Sequence, residues 1–521
     1  MSNQAVLSNP EAAAAGAHER KAPRVGRNVT VLTAAQLITW TMTLLWTLVV
    51  PRALGPAGMG TVMAAWAITG ILGTVVGLGT RNYLVRESVI DPAKAPRLIG
   101  TAFALRVALS PLVIGGAFAY GEVVGWGHDA KLVLYLAAAA TIFVQLAEPL
   151  LAGFQATERM EYIAYSDVIS KSGQGLVGIL VVLLGAGVIG VTACWMAMAG
   201  LVVALDLYWL RGHVRIDLRT NVRRMVQVAR ASLPYWTFGL FFMLYLWIDF
   251  VMLSLLTSPE VVGWYSVPMR LFQTLMFLPV VVATAWLPRF VRSFEESREE
   301  LGRTARPPIE LVLLLSLPIC AMTVIAAKPL ISLLYGSAYD DSASVMVILG
   351  LCIPPMYLNI VLSQVLIAMN RQTSWTWVMA ATTVVNPLFN LALIQWAQHR
   401  FDNGAIGAAL SLLLTELVVV TAGFLMIGRL VFDKGTVRRS VLGVVIAAAA
   451  VAAGYGTERI FGAVPSLAAG ALTFVVLAIA LRLFTAEEVG LMKSGIDRVL
   501  RRIPLLRGRA TSAATEERQP V

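Results

Sequence analysis

Of 521 residues, 58% are hydrophobic and only 14% are charged, and the mean hydropathy is +0.75. Soluble domains carry roughly 25% charged residues, so this composition calls for lipid rather than a larger core and excludes a secreted enzyme, a cytosolic dehydrogenase or a disordered hub. The net charge of +11 would indicate a nucleic-acid partner only if the basic residues shared a soluble face.

Apolar stretches of about 20 residues, the length that crosses the hydrocarbon core as a helix, predict fourteen spans. They run at 29–50, 60–80, 98–120, 131–153, 162–185, 187–210, 231–256, 262–288, 309–334, 343–369, 373–397, 404–428, 440–457 and 463–484. Residues 1–28 form a polar, Ala-rich tail without the apolar region and small-residue cleavage site of a signal peptide, so the first span is itself the insertion signal. With the N-terminus inside, the inner segments hold 32 of the 41 Lys and Arg. That bias sets the orientation by the positive-inside rule, with both termini cytoplasmic in the cytoplasmic membrane, and it accounts for the basic charge without nucleic acid. Two of the inner segments are amphipathic: 218–229, between the halves of the chain, and 486–503, opposite Lys493, Arg498, Arg501 and Arg502. Both suit helices lying on anionic headgroups, and both fit ordinary positive-inside connectors.

Cys194, Cys320 and Cys352 lie far apart inside apolar runs and read as buried small hydrophobes. They and the four scattered His give no metal-ligand spacing, and no GxxxxGK[ST] stretch exists to bind ATP. No cofactor is expected, and any transport must run on an ion gradient, the membrane potential or the cargo gradient. The outer loops, roughly four to ten residues long, leave no room for an enzyme's extramembrane site, so the chain is not expected to be an enzyme.

The chain also repeats itself. Pro56-Ala-Gly-Met-Gly60, between the first two spans, corresponds to Pro259-Glu-Val-Val-Gly263 between the seventh and eighth. Gly187-Val-Ile-Gly190 opens the sixth span, and Gly404-Ala-Ile-Gly407 opens the twelfth. A parallel duplication of a six-span unit predicts such pairs, related by an axis along the membrane normal. The expected organisation is a tail (1–28), an N-lobe (29–210), a basic linker (211–230), a C-lobe (231–430), two further helices (431–484) and a basic tail (485–521).

Several stretches resemble bacterial oligosaccharide flippases, the Wzx-type polysaccharide exporters of the multidrug/oligosaccharidyl-lipid/polysaccharide (MOP) superfamily. They are Pro51-Arg-Ala-Leu-Gly-Pro-Ala-Gly-Met-Gly60, Leu78-Gly-Thr-Arg-Asn-Tyr-Leu-Val-Arg-Glu87, the run from Asp249 through Trp264-Tyr-Ser-Val-Pro-Met-Arg270, Lys328-Pro-Leu-Ile-Ser-Leu-Leu-Tyr-Gly336 and Asn386-Pro-Leu-Phe-Asn390. The resemblance covers about residues 28–430. It implies an all-α polytopic membrane protein whose two six-helix lobes enclose a central cavity that opens alternately to each side. The implied cargo is an isoprenoid pyrophosphate carrying a glycan for exopolysaccharide, capsule or O-antigen. Glycosyltransferases inside and a polysaccharide polymerase outside are the implied partners, along with membrane lipids. Relatives that carry the peptidoglycan precursor share these motifs, and a multidrug or cation antiporter would share the fold.

Charges inside spans cost at least about 2.5 to 3.5 kcal/mol at mid-membrane and are therefore functional candidates. Arg106, Lys171 and Arg270, the last at a position where the resemblance places a cationic cavity residue, are the expected ligands of the pyrophosphate. Each also fits an interhelical ion pair, Arg270 with Asp249 for one. Arg52 belongs to the turn after the first span and is a candidate outer gate, counted with the three as a substrate-binding cation of the cavity. Asp249 and Glu416 are candidates for binding a coupling proton or Na+. An organic-cation site would favour acids and aromatic rings, so the mainly basic set favours an anionic cargo. Trp46, Trp126, Trp264 and Trp396 lie close to span ends and read as interfacial anchors, and the prolines within spans are candidate hinges.

Overall fold

The structure is a computed structural model that describes residues 22–484 except 215, 428 and 429. The amphipathic stretch 486–503 lies outside the described residues. Those residues form helices and no strand, because a chain in lipid must satisfy its backbone groups within each segment. In chain order the helices are α1 (Ala22–Gly77), α2 (Thr80–Ile90), α3 (Ala95–Val123), α4 (His128–Ala156), α5 (Met160–Leu183), α6 (Gly187–Arg211), α7 (Val222–Leu256), α8 (Pro259–Leu275), α9 (Phe277–Glu296), α10 (Arg298–Tyr335), α11 (Ser342–Ala368), α12 (Gln372–Phe401), α13 (Gly404–Ile427), α14 (Lys434–Phe461) and α15 (Ala463–Ala480).

Thirteen helical stretches among the described residues are long and apolar enough to cross a membrane. The first contains two of the fourteen predicted spans, because the expected turn at Gly55-Pro56 is a kink inside α1. Gly55 takes φ 70° and ψ 174° there, a left-handed φ open to glycine, and Pro56 withdraws the N–H that would bond the Arg52 carbonyl. A second break, at Leu78 (φ 47°) and Gly79 (φ 59°), ends α1.

The chain packs as two compact units. One holds the residues up to Leu271, Leu330–Val345 and Thr376–Thr415; the other holds Phe272–Pro329, Met346–Trp375 and the residues from Glu416 onward. In the first unit Ile99 of α3, Leu150 and Phe154 of α4 and Leu210 of α6 form a buried core. The repeated Pro-x-x-x-Gly motifs meet in this unit. A Cβ on Gly60 would lie 1.8 Å from the Pro259 carbonyl oxygen, and one on Gly263 would lie 2.0 Å from that of Pro56. Asp217 of the basic linker lies against the start of α3. Asp217 N–H donates to the Pro96 carbonyl at 3.1 Å, and Arg97 Nε donates to the Asp217 carboxylate at 3.4 Å. The backbone N–H of Arg219, with Arg97 behind it, holds the Asp217 carboxyl below the usual carboxylate range. Of the apolar residues in the amphipathic segment, Leu218 precedes α7 while Val222 and Val226 begin it, and all three are exposed.

In the second unit Leu314, Leu317 and Ala321 of α10 pack with Ile446 and Ala450 of α14 and with Phe474 of α15. Asp433 caps α14 by accepting from Thr436 N–H at 2.7 Å. That bond, together with Arg306, holds its carboxyl below the usual range.

Candidate functional site

In the first unit Arg270 of α8 projects onto the indole of Trp46 in α1, with its guanidinium carbon 4.8 Å from the ring centroid. Cation–π contact of this kind is favoured where both groups leave water. Trp46 is only 6% exposed, which corrects its reading as an interfacial anchor. Its ring stacks on Trp66 at 5.7 Å, and Trp66 tilts against Trp195 at 4.9 Å. Near the end of α10, Tyr335 lies within electrostatic reach of Arg270. Its buried hydroxyl has no hydrogen-bond partner among the described residues. Tyr335 packs on Tyr339 at 5.7 Å, and Tyr339 donates to the Pro51 carbonyl at 2.9 Å. Arg52 follows directly, exposed, in a groove of about 470 Å³ otherwise lined by Leu48, Val49, Ala53, Leu183, Leu333 and Leu334. The fold therefore gathers Arg270 and Arg52 along one stretch of α1, six residues apart at Trp46 and Arg52.

Arg106 is placed elsewhere. It is 2% exposed, and one terminal nitrogen donates to the Gln145 carbonyl while the other donates to Gly77 O at 3.2 Å and to Thr80 Oγ1 at 2.8 Å. Both carbonyls are by-products of the sequence. Pro149 cannot donate to Gln145, and α1 ends at Gly77. Glu148, whose charge acts on Arg106, is itself paired with Arg81 at 3.3 Å. Lys171 is half-exposed and meets Asp167 one turn back at 3.6 Å.

Asp249 is the hub of a buried polar cluster. Asn390 Nδ2 donates to one carboxylate oxygen at 2.7 Å, and Tyr265 donates to the other at 2.9 Å. Asn390 Nδ2 also reaches Asn386 Oδ1 at 2.8 Å, and Asn386 donates to Thr415 Oγ1 at 3.2 Å. Asn390 Oδ1 is buried and has no partner among the described residues. In the second unit the fully buried Glu416 accepts from Asn359 at 3.0 Å. The two Asn residues stand one turn apart in Asn386-Pro-Leu-Phe-Asn390, a spacing that puts both on one face. It marks them as a pair even before the fold shows what they bind.

The family model described as polysaccharide biosynthesis protein matches residues 25–294, more than half of the chain. The MatE family model matches residues 238–392. No curated protein matches the sequence. Among solved structures, the lipid II flippase MurJ in an inward closed conformation is similar at 13% identity and a TM-score of 0.69, over 87% of this chain and 98% of that one. An inward-facing multidrug resistance MATE family transporter of the MOP superfamily is similar at 17% identity and a TM-score of 0.59, over 74% of this chain and 93% of its own. At these identities the likeness is one of fold. With the family match it establishes that the chain is a multi-pass membrane protein of the polysaccharide biosynthesis protein family, among the flippases and transporters of the MOP superfamily.

Proposed function

We propose that the chain moves an isoprenoid-pyrophosphate-linked oligosaccharide across the cytoplasmic membrane, by alternating access of its two six-helix lobes, for the assembly of a cell-surface polysaccharide. The observation that carries this reading is the Arg270 site, where a guanidinium lies over Trp46 within electrostatic reach of the Tyr335 hydroxyl, which has no hydrogen-bond partner among the described residues. A diphosphate entering lipid must exchange its hydration for fixed donors, and an Arg fork with a phenol is suited to that exchange. Arg52, farther along α1 in an aliphatic groove, supplies a second cation next to surface that suits an isoprenoid. Arg106 spends its donors on backbone carbonyls and Lys171 meets Asp167, so they rank behind this pair as ligands. Asp249, held by Asn390 and Tyr265, is the preferred site for a coupling proton or Na+, with Glu416 second. The positive-inside bias supports cytoplasmic termini, with glycosyltransferases inside and a polymerase outside as partners.

The test is flipping of a fluorescent isoprenoid-pyrophosphate oligosaccharide in proteoliposomes. The wild type is expected to move it. Arg270→Ala should slow it at least about tenfold, the worth of one charge-assisted hydrogen bond, while Arg303→Ala, which alters an exposed pair with Glu300, should match the wild type. Exchange of organic cations for protons without lipid movement would show an antiporter instead. Movement of the peptidoglycan precursor alone would replace the oligosaccharide as cargo.

A further inference from the structure

Outside that site, Asp206 of α6 has no exposed surface. Its Oδ1 lies 2.5 Å from Ser166 Oγ of α5, and its Oδ2 is buried with no partner among the described residues. Ser166 is 4% exposed, and its Oγ also lies 2.9 Å from the Tyr162 carbonyl oxygen. A hydroxyl has one proton to donate, and an ionised carboxylate can only accept. An ionised Asp206 would therefore take the Ser166 proton away from Tyr162 and hold a full charge in an apolar span with a single partner. A neutral Asp206 instead donates its O–H to Ser166, and Ser166 donates to Tyr162, so that every proton is placed.

The charged groups on the elements packed against α6 do not change this count. On α4, Glu148 pairs with Arg81 and Lys131 with Glu122, while His128 and Asp129 stand at the far end of that helix. On α3, whose Ile99 packs with Leu210 of α6, Arg97 pairs with Asp217 and Arg106 donates to the Gln145 and Gly77 carbonyls. On α5, Asp167 pairs with Lys171 and Glu161 with Arg159, and the Tyr165 ring meets Tyr162 and Trp209. Arg52 of α1 lies by Leu183, at the opposite end of α5 from Ser166. Arg211 ends α6 itself, and beyond it the His213 ring meets Tyr162 at 5.1 Å.

We propose that Asp206 is a proton-binding site, held as the neutral acid, whose deprotonation turns the Ser166 hydroxyl from Tyr162 to the carboxylate and so rewires the junction of α5 and α6. The ligand is the proton alone. A carboxylate and hydronium give the acid and water, and release to water restores the charge of −1. The site lies on different helices from the Asp249 cluster, and it stands whatever cargo the chain carries.

The test is infrared difference spectroscopy of the full chain in liposomes, between acid and alkaline buffer and with no cargo present. The wild type is expected to show the carbonyl band of a buried carboxylic acid. Asp206→Asn, which keeps the shape and a donor but has no titrating proton, should lose that band. Ser166→Ala should shift it by removing its acceptor. Identical bands in the wild type and Asp206→Asn would overturn the proposal, and so would a Ser166→Ala spectrum that matches the wild type. The second variant carries the measurement if the first does not fold. Because no lipid-linked sugar is present, failure here is separable from failure of the flippase reading.

Discussion

Arg106 illustrates how a membrane-buried cation can be absorbed by the backbone. Pro149 leaves the Gln145 carbonyl without its helical donor, the break at Leu78-Gly79 leaves the Gly77 carbonyl to the Thr80 hydroxyl, and one guanidinium reaches both carbonyls. A buried acceptor left unpaired costs about 1–3 kcal/mol; the Gly77 carbonyl keeps the Thr80 hydroxyl at 3.1 Å, so Arg106→Ala orphans the Gln145 carbonyl alone and is expected to lower stability by roughly 1–3 kcal/mol. The measurement is thermal unfolding of the purified protein in detergent. A variant as stable as the wild type that had lost only transport would reassign Arg106 to the cargo. Its charge at that depth is legible in the sequence, but its partners are not, because an orphaned carbonyl is a property of chain geometry rather than of residue type. The same limit hides the burial of Trp46 against Arg270. Asp206 could have been flagged as an acid inside a predicted span, although its proximity to the end of that span makes it look like a boundary residue.

At the level of elements, hydropathy locates the spans because lipid imposes their length: among the described residues each of the fourteen predicted spans falls on helix, the eighth on both α8 and α9 across Met276 and the last running past the end of α15. Which face of each helix turns inward is not encoded in the same way. Protein-facing and lipid-facing sides are both apolar, and packing is decided by small residues that let backbones approach. The Pro-x-x-x-Gly repeat is one place where that information surfaces, since Gly60 and Gly263 each accept the carbonyl of the proline that opens the other motif. Adding a methyl at such a contact forces the helices apart, and overpacking of this kind costs about 1–3 kcal/mol or more. Gly60→Ala and Gly263→Ala are each expected to destabilise by at least about 2 kcal/mol. Because the two contacts share one crossing, the double variant should cost less than the sum of the two. Gly70→Ala is the control: it lies in α1 with nothing within 4 Å of the added carbon, and should be neutral or stabilising by about 0.4–1 kcal/mol. Equal effects at all three glycines would mean that helix propensity, and not the crossing, governs these positions.

For the whole molecule, the question is whether α14 and α15 are an appendix to a twelve-helix transporter or part of its body. The sequence offers no motif in them, and the MATE-like structure resembles only 74% of the chain. The MurJ likeness covers 87%, more than residues 1–430 can supply, so it extends into residues 431–521. The packing settles the matter for the second unit. Gly443 lets Leu317 against α14, since a Cβ there would lie 2.5 Å from its Cδ1, and Gly470 does the same for Ile325 at 2.4 Å. Arg439 bonds Glu310 of α10 at 2.5 Å and the Leu483 carbonyl at 3.1 Å, and Thr436 donates to the other oxygen of Glu310. Removing both helices would therefore strip the partner from a largely buried carboxylate and expose Leu314, Leu317 and Ala321 of α10. Breaking a buried pair alone costs about 3–5 kcal/mol, comparable with the roughly 5–15 kcal/mol that holds a typical domain together. A chain ending at residue 427 is thus expected to aggregate or be degraded, whereas one ending at residue 484 should elute as a single folded species on size-exclusion chromatography. A monodisperse, transport-competent product from the shorter chain would show instead that twelve helices suffice and that α14 and α15 rest on a surface already stable without them.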